Sequence, residues 1–434
     1  MRIFGSSGVR GVVNTEMTPE LAARIGMAVG GLAKEAVIGR DSRTSNDMMQ
    51  AAVSSGLMAC GCEVYDAGFV TTPTLAEAAR DLDCGVMLTA SHNPPEYAGV
   101  KLWNPDGMGF GVDQSRHIED IISEGKYSLK PWNLVGTPHS FPDAVDRHID
   151  RIMSDVGAAS LKVVVDCANG PATTITPLVL QQMGCKVVTI NSNRDGHFPG
   201  RMPEPTDGNL GDLKGAVVAM EADLGIAHDG DGDRMVVVDD KGQTLSGDEL
   251  LAVFAGRFAK DRIVVTVDAS MAVDDYVDAD IIRTRVGDVF VSEEVKKSGA
   301  DFGGEPSGTW IFPDQTYCPD GILAAARIVE IAAERSLSEL RKEIPKYPTL
   351  RSSISFDPSR KDEVLEMLRI EMSSVECQEL VTLDGFRHQF EDGWTLVRPS
   401  GTEPKIRIMA EARDGAQAGK LLEAMTKIVR RCVA

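Results

Sequence analysis

The chain has 434 residues, a formal net charge of −20, 43% hydrophobic residues and 25% charged ones. That length is too great for one hydrophobic core and calls for roughly three or four globular domains, while the acidic balance excludes the basic face that a nucleic-acid partner needs. No uninterrupted apolar run is long enough to span a bilayer, and "MRIFGSSGVRG" lacks the basic-then-apolar order of a signal peptide, so a cytoplasmic protein with no membrane partner is expected.

An acidic protein repels anions at long range, so any phosphate site in it must be a local pocket of preorganised cations. The eight cysteines contain no zinc-like C-x-x-C pair, the nearest spacing being Cys60-Gly-Cys62, and are expected to be reduced and structural.

The chain opens with "FGSSGVRG", a glycine-rich turn carrying Arg10; no Gly-Lys-Ser/Thr follows, so it is not a Walker loop. "KEAVIGRDS" reads as a buried strand and its exit, followed by the helical "SNDMMQAAVSSGLMACG" and a second strand, "CEVYDAG". Then comes "LTASHNPPEYAGVK", which sets Ser91 between an apolar run and a stiff His-Asn-Pro-Pro segment. A serine is a weak nucleophile unless something activates it. "DGMGFG" has no strand-to-helix context and reads as a flap turn.

The strand–helix–strand plan recurs twice, from Leu161 to Ser192 and from Arg262 to Asp288, with little sequence identity between the copies. Between these copies lies "AHDGDGDRMVVVD", in which Asp229, Asp231 and Asp233 alternate with glycines. Carboxylates so close repel one another unless a cation neutralises them, and hard oxygen ligands suit Mg²⁺; the alternative is a solvated Asp/Gly turn. An EF-hand fails because Arg234 occupies the position that needs glycine. "FGGEPSGTWIF" offers Glu305 and Ser307 to polyol hydroxyls. The C-terminal part reads as two strands around "RPSGTEPKIRI" and an amphipathic helix, an α+β module. Arg398, Lys405 and Arg407 surround Ser400, Gly401 and Thr402, suiting either a phosphate dianion or a proline-bounded hairpin turn. His-Glu-x-x-His and Gly-x-Ser-x-Gly are both absent, and the histidines other than His92 stand isolated.

"FGSSGVRG", "TASHNPPEYAGVK", "DGDGDR", "GGEPSGTW" and "RPSGTEPKIRI" occur in the order found in the α-D-phosphohexomutase superfamily, which the whole chain resembles. Within that superfamily the last two loops are most similar to archaeal-type phosphoglucosamine mutases, with phosphomannomutase/phosphoglucomutase as the near neighbour. The resemblance implies an α/β fold of four domains around a central cleft, three similar units with mixed sheets and a smaller C-terminal α+β domain. We expect the limits at 1–150, 151–250, 251–346 and 347–434.

It further implies an isomerase that moves phosphate between O6 and O1 of a hexosamine or hexose phosphate, glucosamine 6-phosphate foremost, through a bisphosphorylated sugar. Ser91 would carry the phosphoryl group and, with Asp229, Asp231 and Asp233, hold one Mg²⁺. Arg10, His92 and Lys101 would lie beside the phosphoserine, His92 or Lys101 taking the hydroxyl proton. Arg234, Thr284, Arg285, Gly287, Glu305 and Ser307 would contact the sugar. Arg398, Ser400, Gly401, Thr402 and Arg407 would hold the phosphate that is not transferring. Trp310 stands where many relatives have a histidine, which puts a catalytic histidine there in doubt. The oligomeric state is left open, a homodimer being one option. Rival readings are an aspartyl-phosphate phosphatase using Asp229, which leaves the Ser91 motif unexplained, and a non-catalytic sugar-phosphate-binding regulator.

Overall fold

The computed structural model describes residues 3–5, 7–400 and 403–433. Its strands form four sheets in chain order. In the first, the spatial order is Val9–Val12, Tyr97–Trp103, Cys84–Leu88, Glu35–Arg40, Glu63–Phe69, Pro138–Ser140. The last four of these run parallel, and the first two join them antiparallel. Cys84–Leu88 is buried along its whole length, which is why it reads as an unbroken apolar run rather than an alternating one.

The second sheet orders Met235–Val238, Leu224–His228, Lys162–Asp166, Lys186–Ile190, with Met235–Val238 as the antiparallel edge. The third orders Asp280–Thr284, Arg262–Thr266, Phe302–Glu305, Thr309–Ile311, again parallel with one antiparallel edge. Three mixed α/β units are therefore present, as the repeat implied. The C-terminal module is larger than the two strands read from sequence. It is a five-stranded antiparallel sheet covered by the helices Lys361–Ser373 and Gly415–Val433.

The helices Ala144–Met153 and Gly247–Phe258 run through positions 150 and 250, so two of the expected limits fall inside helices. The helix Gly247–Phe258 starts on a reciprocal capping box of Ser246 and Glu249, and at the start of Gly321–Glu334 Asp320 accepts the Ile322 and Leu323 N–H groups.

The second and third units share one apolar core. Val165, Ile226, Phe254, Ile263, Phe302, Trp310 and Phe312 belong to a single buried cluster. Ring centroids of Phe254 and Trp310 lie 5.1 Å apart, and those of Phe254 and Phe312 lie 5.6 Å apart at 82°, an edge-to-face contact. The first and fourth units have cores of their own.

A small patch joins the fourth unit to the third: Val267 and Met271 against Trp394 and Leu396. The buried Glu411 secures it, accepting the Met271 N–H at 2.8 Å, the Trp394 indole N–H at 2.9 Å and the Thr349 hydroxyl at 2.8 Å. Arg387 lies over the Trp394 ring at 4.3 Å and donates to the Val267 carbonyl at 2.8 Å. Glu411→Ala leaves these donors without their acceptor. It should lower the unfolding free energy by about 3 kcal/mol and make residues 341–348 more readily cut by protease; unchanged urea unfolding and cleavage would show that Glu411 is not the tie.

Candidate active site

Two of the loops singled out in the sequence leave the ends of strands and come together. Residues 89–96 join Cys84–Leu88 to Tyr97–Trp103, and residues 229–234 join Leu224–His228 to Met235–Val238. These two loops meet. Ser91 Oγ donates to Asp229 Oδ2 at 2.8 Å and lies 3.3 Å from His92 Nδ1. Ser91 is buried and has φ of +50°, a left-handed conformation unfavourable for a residue with a side chain.

Arg43 holds it there. This fully enclosed guanidinium donates to the carbonyls of Ser91 (2.8 Å), Asn93 (2.6 Å), Pro94 (2.6 Å) and Tyr97 (3.0 Å). Its Nε pairs with Asp41 Oδ2 at 3.1 Å, and Phe198 of the second unit packs 5.3 Å from it. Asp41 also accepts the Thr89 hydroxyl at 2.7 Å, and Thr89 Oγ1 accepts the Ser91 N–H at 2.8 Å. The loop is thus fastened by a buried network in which one arginine satisfies several backbone oxygens.

The aspartates converge as the alternating glycines permit. Gly232 has φ of +75°, and a Cβ on Gly230 would stand 2.5 Å from the Ser91 carbonyl oxygen, so no larger residue fits between the loops. One oxygen of each of Asp229, Asp231 and Asp233 lies within 4.8 Å of the others, and all three residues are buried. Asp229 Oδ1 accepts the Gly232 and Arg234 N–H groups at 3.0 and 3.2 Å. Asp231 Oδ2 accepts the Thr72 hydroxyl at 2.6 Å and Lys101 Nζ at 2.8 Å, and Asp233 Oδ2 accepts Lys101 Nζ at 2.6 Å.

The electrostatics follow from this crowding. Burial, then the charges of Asp231 and Asp233, pushes Asp229 well above the usual carboxylate range. Burial alone would lower the Lys101 ammonium, but Asp231 and Asp233 outweigh it and hold Lys101 above its ordinary value. His92 is pushed down to about 2 by burial and then by Arg234, Arg10 and Lys101, so its imidazole is neutral at neutral pH. Asp231 Oδ1 and Asp233 Oδ1 are buried with no hydrogen-bond partner. Orphaned carboxylate oxygens beside a serine hydroxyl are a fit for a hard divalent cation.

A cavity of ≈ 600 Å³ opens over Ser91. Arg10, His92, Lys101, Asp233, Arg234, Gly287, Glu305 and Ser307 all line it. Arg10 donates to Asn93 Oδ1 at 3.1 Å. Glu305 Oε1 accepts the Gly287 N–H at 2.7 Å, and burial followed by the Asp288 charge pushes Glu305 up to about 7.

Trp310 does not face this cavity. It is fully buried in the aromatic core, its indole N–H bonded to the Met235 carbonyl at 2.8 Å, and Thr309 lines the site instead. The side-chain alternation of the strand Thr309–Ile311 puts these neighbours on opposite faces, so the side chain presented to the cavity is that of Thr309 and not Trp310.

The remaining expected residues lie farther along the cleft. Arg285 and Arg398 line an adjoining cavity of ≈ 780 Å³, which shares Gly5 and Val286 with the first. Arg285 Nε donates to the Leu383 carbonyl at 2.9 Å, and Arg398 pairs with Asp384 at 2.7 Å. Arg407 lines a third cavity, ≈ 460 Å³, with Arg398 and Arg351, and stands 3.6 Å from Glu403. Thr284 lines none of these three cavities, and its carbonyl accepts the Val267 N–H at 2.9 Å. Ser400 Oγ accepts the Glu403 N–H at 3.3 Å; Gly401 and Thr402 lie outside the described residues.

Residues that sequence reasoning passed over include Arg43, Asp41, Thr72 and Asp288. The available signal was "GRDSR", charged residues placed directly after an apolar strand. Arg43→Met leaves Asp41 buried without its cation and the loop carbonyls without donors. It should destabilise the protein by about 3–5 kcal/mol, measured by chemical denaturation; a wild-type midpoint would contradict the keystone role.

Residues 1–128, 144–242 and 246–347 match domains I, II and III of the phosphoglucomutase/phosphomannomutase alpha/beta/alpha type, and residues 357–428 match the C-terminal domain of the same group. The chain is 53% identical over 438 residues to a protein from Methanosarcina acetivorans named probable phosphoglucosamine mutase, with 100% of each covered. A crystal structure of a phosphoglucomutase/phosphomannomutase family protein from Burkholderia thailandensis aligns with a TM-score of 0.89 at 28% identity, covering 99% of this chain and 97% of that one. An Aspergillus fumigatus N-acetylphosphoglucosamine mutase, solved in complex with GlcNAc-6P and magnesium, shares the fold at a TM-score of 0.60 and 15% identity, covering 99% of this chain and 96% of that one. With its four domain matches in order along the sequence, the chain belongs to the phosphoglucomutase/phosphomannomutase family.

Proposed function

We propose that the chain is a phosphoglucosamine mutase, interconverting glucosamine 6-phosphate and glucosamine 1-phosphate, with phosphomannose and phosphoglucose mutation as the alternative substrate reading. The observation that carries this is the contact between Ser91 Oγ and the buried aspartate trio, at the floor of a cavity rimmed by Arg10, Lys101 and Arg234. The names of the full-length relatives support the choice of sugar.

In this reading Ser91 carries the phosphoryl group. Its P–Oγ bond breaks as a bond forms to the free sugar hydroxyl, giving a bisphosphorylated sugar; after the sugar turns end for end, its other phosphate returns to Ser91. Phosphoryl transfer asks the protein mainly for alignment and charge neutralisation. Arg43 supplies the first through the backbone of the loop, and Arg10, Lys101 and Arg234 supply the second. Asp229, Asp231, Asp233 and Ser91 Oγ would hold Mg²⁺, which when bound adds a compact positive charge next to the phosphoryl oxygens.

Lys101 is kept charged by Asp231 and Asp233, so we assign it to neutralisation and not to proton removal. That leaves His92 to receive the hydroxyl proton. Its imidazole is neutral, with Nδ1 3.3 Å from Ser91 Oγ; burial first, then Arg234, Arg10 and Lys101, resist its protonation, and a phosphoryl dianion on Ser91 would act against them. Glu305 and Ser307 accept from and donate to ring hydroxyls. Arg398 and the loop after it clamp the distal phosphate in either orientation, with Arg285 facing the same cavity.

Two measurements test this. Ser91→Ala should cut turnover of glucosamine 6-phosphate about a thousandfold or more in a coupled isomerisation assay; near-normal turnover would remove the phosphoserine. Arg398→Ala should weaken phosphate binding by about 1.5–3 kcal/mol, seen as a raised KM; intact KM and kcat would contradict the clamp.

A further inference from the structure

The aspartate loop is gripped by two helix starts that the phosphoryl transfer itself does not use. One is Thr72, which opens the helix Thr72–Ala78 in the first unit. Its N–H donates to the Asp231 carbonyl at 2.9 Å and its hydroxyl to Asp231 Oδ2 at 2.6 Å. The other is Gly321, which opens the helix Gly321–Glu334 in the third unit. A Cβ on Gly321 would stand 2.5 Å from the Arg234 carbonyl oxygen and 2.7 Å from that of Gly232. A Cβ on Gly232 would stand 3.0 Å from Thr71 Cγ2 and 3.7 Å from Ile322 Cδ1. The loop thus fills the gap between the two helix starts, and their separation sets its shape.

A single imidazole ties them together. His148, on the helix Ala144–Met153, donates from Nε2 to Asp320 Oδ2 at 2.9 Å, and its Nδ1 lies 2.9 Å from Thr74 Oγ1. Asp320 uses its other oxygen to cap Gly321–Glu334, and Thr74 Oγ1 lies 2.7 Å from Thr71 Oγ1. Thr71, Thr72, Thr74, His148 and Asp320 are all buried, so water does not stand in for a lost link. The consequence reaches the acid trio at Asp231. Its Oδ2 accepts both the Thr72 hydroxyl and Lys101 Nζ, which fixes the rotation of the carboxylate and leaves Oδ1 buried and without a partner. Ligand oxygens keep their aim only through the groups that hold them from behind.

We infer that His148 is a positioning residue for the cation site. By joining Thr74 to Asp320 it keeps the two helix starts at the separation where Thr72 meets Asp231, and so keeps Asp231 Oδ1 free for Mg²⁺. This rests on the reading of the aspartate trio as the Mg²⁺ site. His148 does not line the cavity over Ser91, so its influence travels through the loop and not through the sugar. An imidazole suits the task because its two ring nitrogens bond partners on different units at once. A phenylalanine at 148 preserves much of the bulk and loses both bonds.

The test titrates Mg²⁺ calorimetrically into the dephosphorylated wild type, Thr72→Val and His148→Phe, with circular dichroism to check folding. Both variants should bind Mg²⁺ about tenfold more weakly or worse, while KM for glucosamine 6-phosphate at saturating Mg²⁺ stays near the wild-type value. A folded His148→Phe that binds Mg²⁺ as tightly as the wild type overturns the inference, whatever Thr72→Val does; a histidine that serves stability alone would lower the urea midpoint and give that result. A rise in KM as large as the loss of Mg²⁺ affinity marks a general loosening of the cleft and also overturns it. Should His148→Phe fail to fold, Thr74→Val cuts the same link at its first-unit end and is judged by the same outcomes. A wild type that takes up no Mg²⁺ defeats the metal reading and the inference together, whereas a wild type that binds it beside an unaffected folded variant defeats the inference alone.

Discussion

Three buried carboxylates within 4.8 Å of one another are the constraint around which the rest of the molecule is arranged. Left alone, they would drive the loop apart or take up protons. Lys101, reaching in from the first unit, compensates part of that repulsion, and the Ser91 hydroxyl comes from the same unit to the remaining oxygens. The association of the first two units is therefore an electrostatic matter as much as an apolar one. The loop that bears Ser91 is drawn to the acidic loop by the charge that makes the acidic loop unstable.

Holding the hydroxyl at that point needs a backbone conformation that serine does not favour. The cost is offset by Arg43, whose guanidinium satisfies carbonyl oxygens along the turn, and by Asp41, which keeps that guanidinium from being an unpaired buried charge. A chain of dependence thus runs from a strand exit in the first unit, through one arginine, to the position of the Ser91 hydroxyl.

Much of the site was legible from sequence because its chemistry is local. Asp229, Asp231 and Asp233 declare themselves by spacing, and Ser91 by the stiff prolines that follow it. Arg43 was not legible, because it acts on backbone atoms roughly fifty positions away and sequence spacing carries no trace of that. Thr309 and Trp310 were confused because either neighbour can face a site until the pleat is known. The fourth sheet was under-read for a similar reason. Thr349–Ser355 is mostly exposed and polar, and Glu379–Val381 is short, so neither resembles the apolar runs that mark strands in the first three units.

The common core beneath the second and third units has a mechanical meaning. The aspartate loop and the Glu305 loop are mounted on one solid block, so their separation is a fixed dimension of the enzyme. The fourth unit is fastened to that block by the patch around Trp394 and Glu411. Ser91 comes to that block from the first unit, so the serine–aspartate contact is made across a boundary that the common core does not span. A substitution in the patch that holds the fourth unit can thus alter its seating without disturbing the spacing of the aspartate and Glu305 loops.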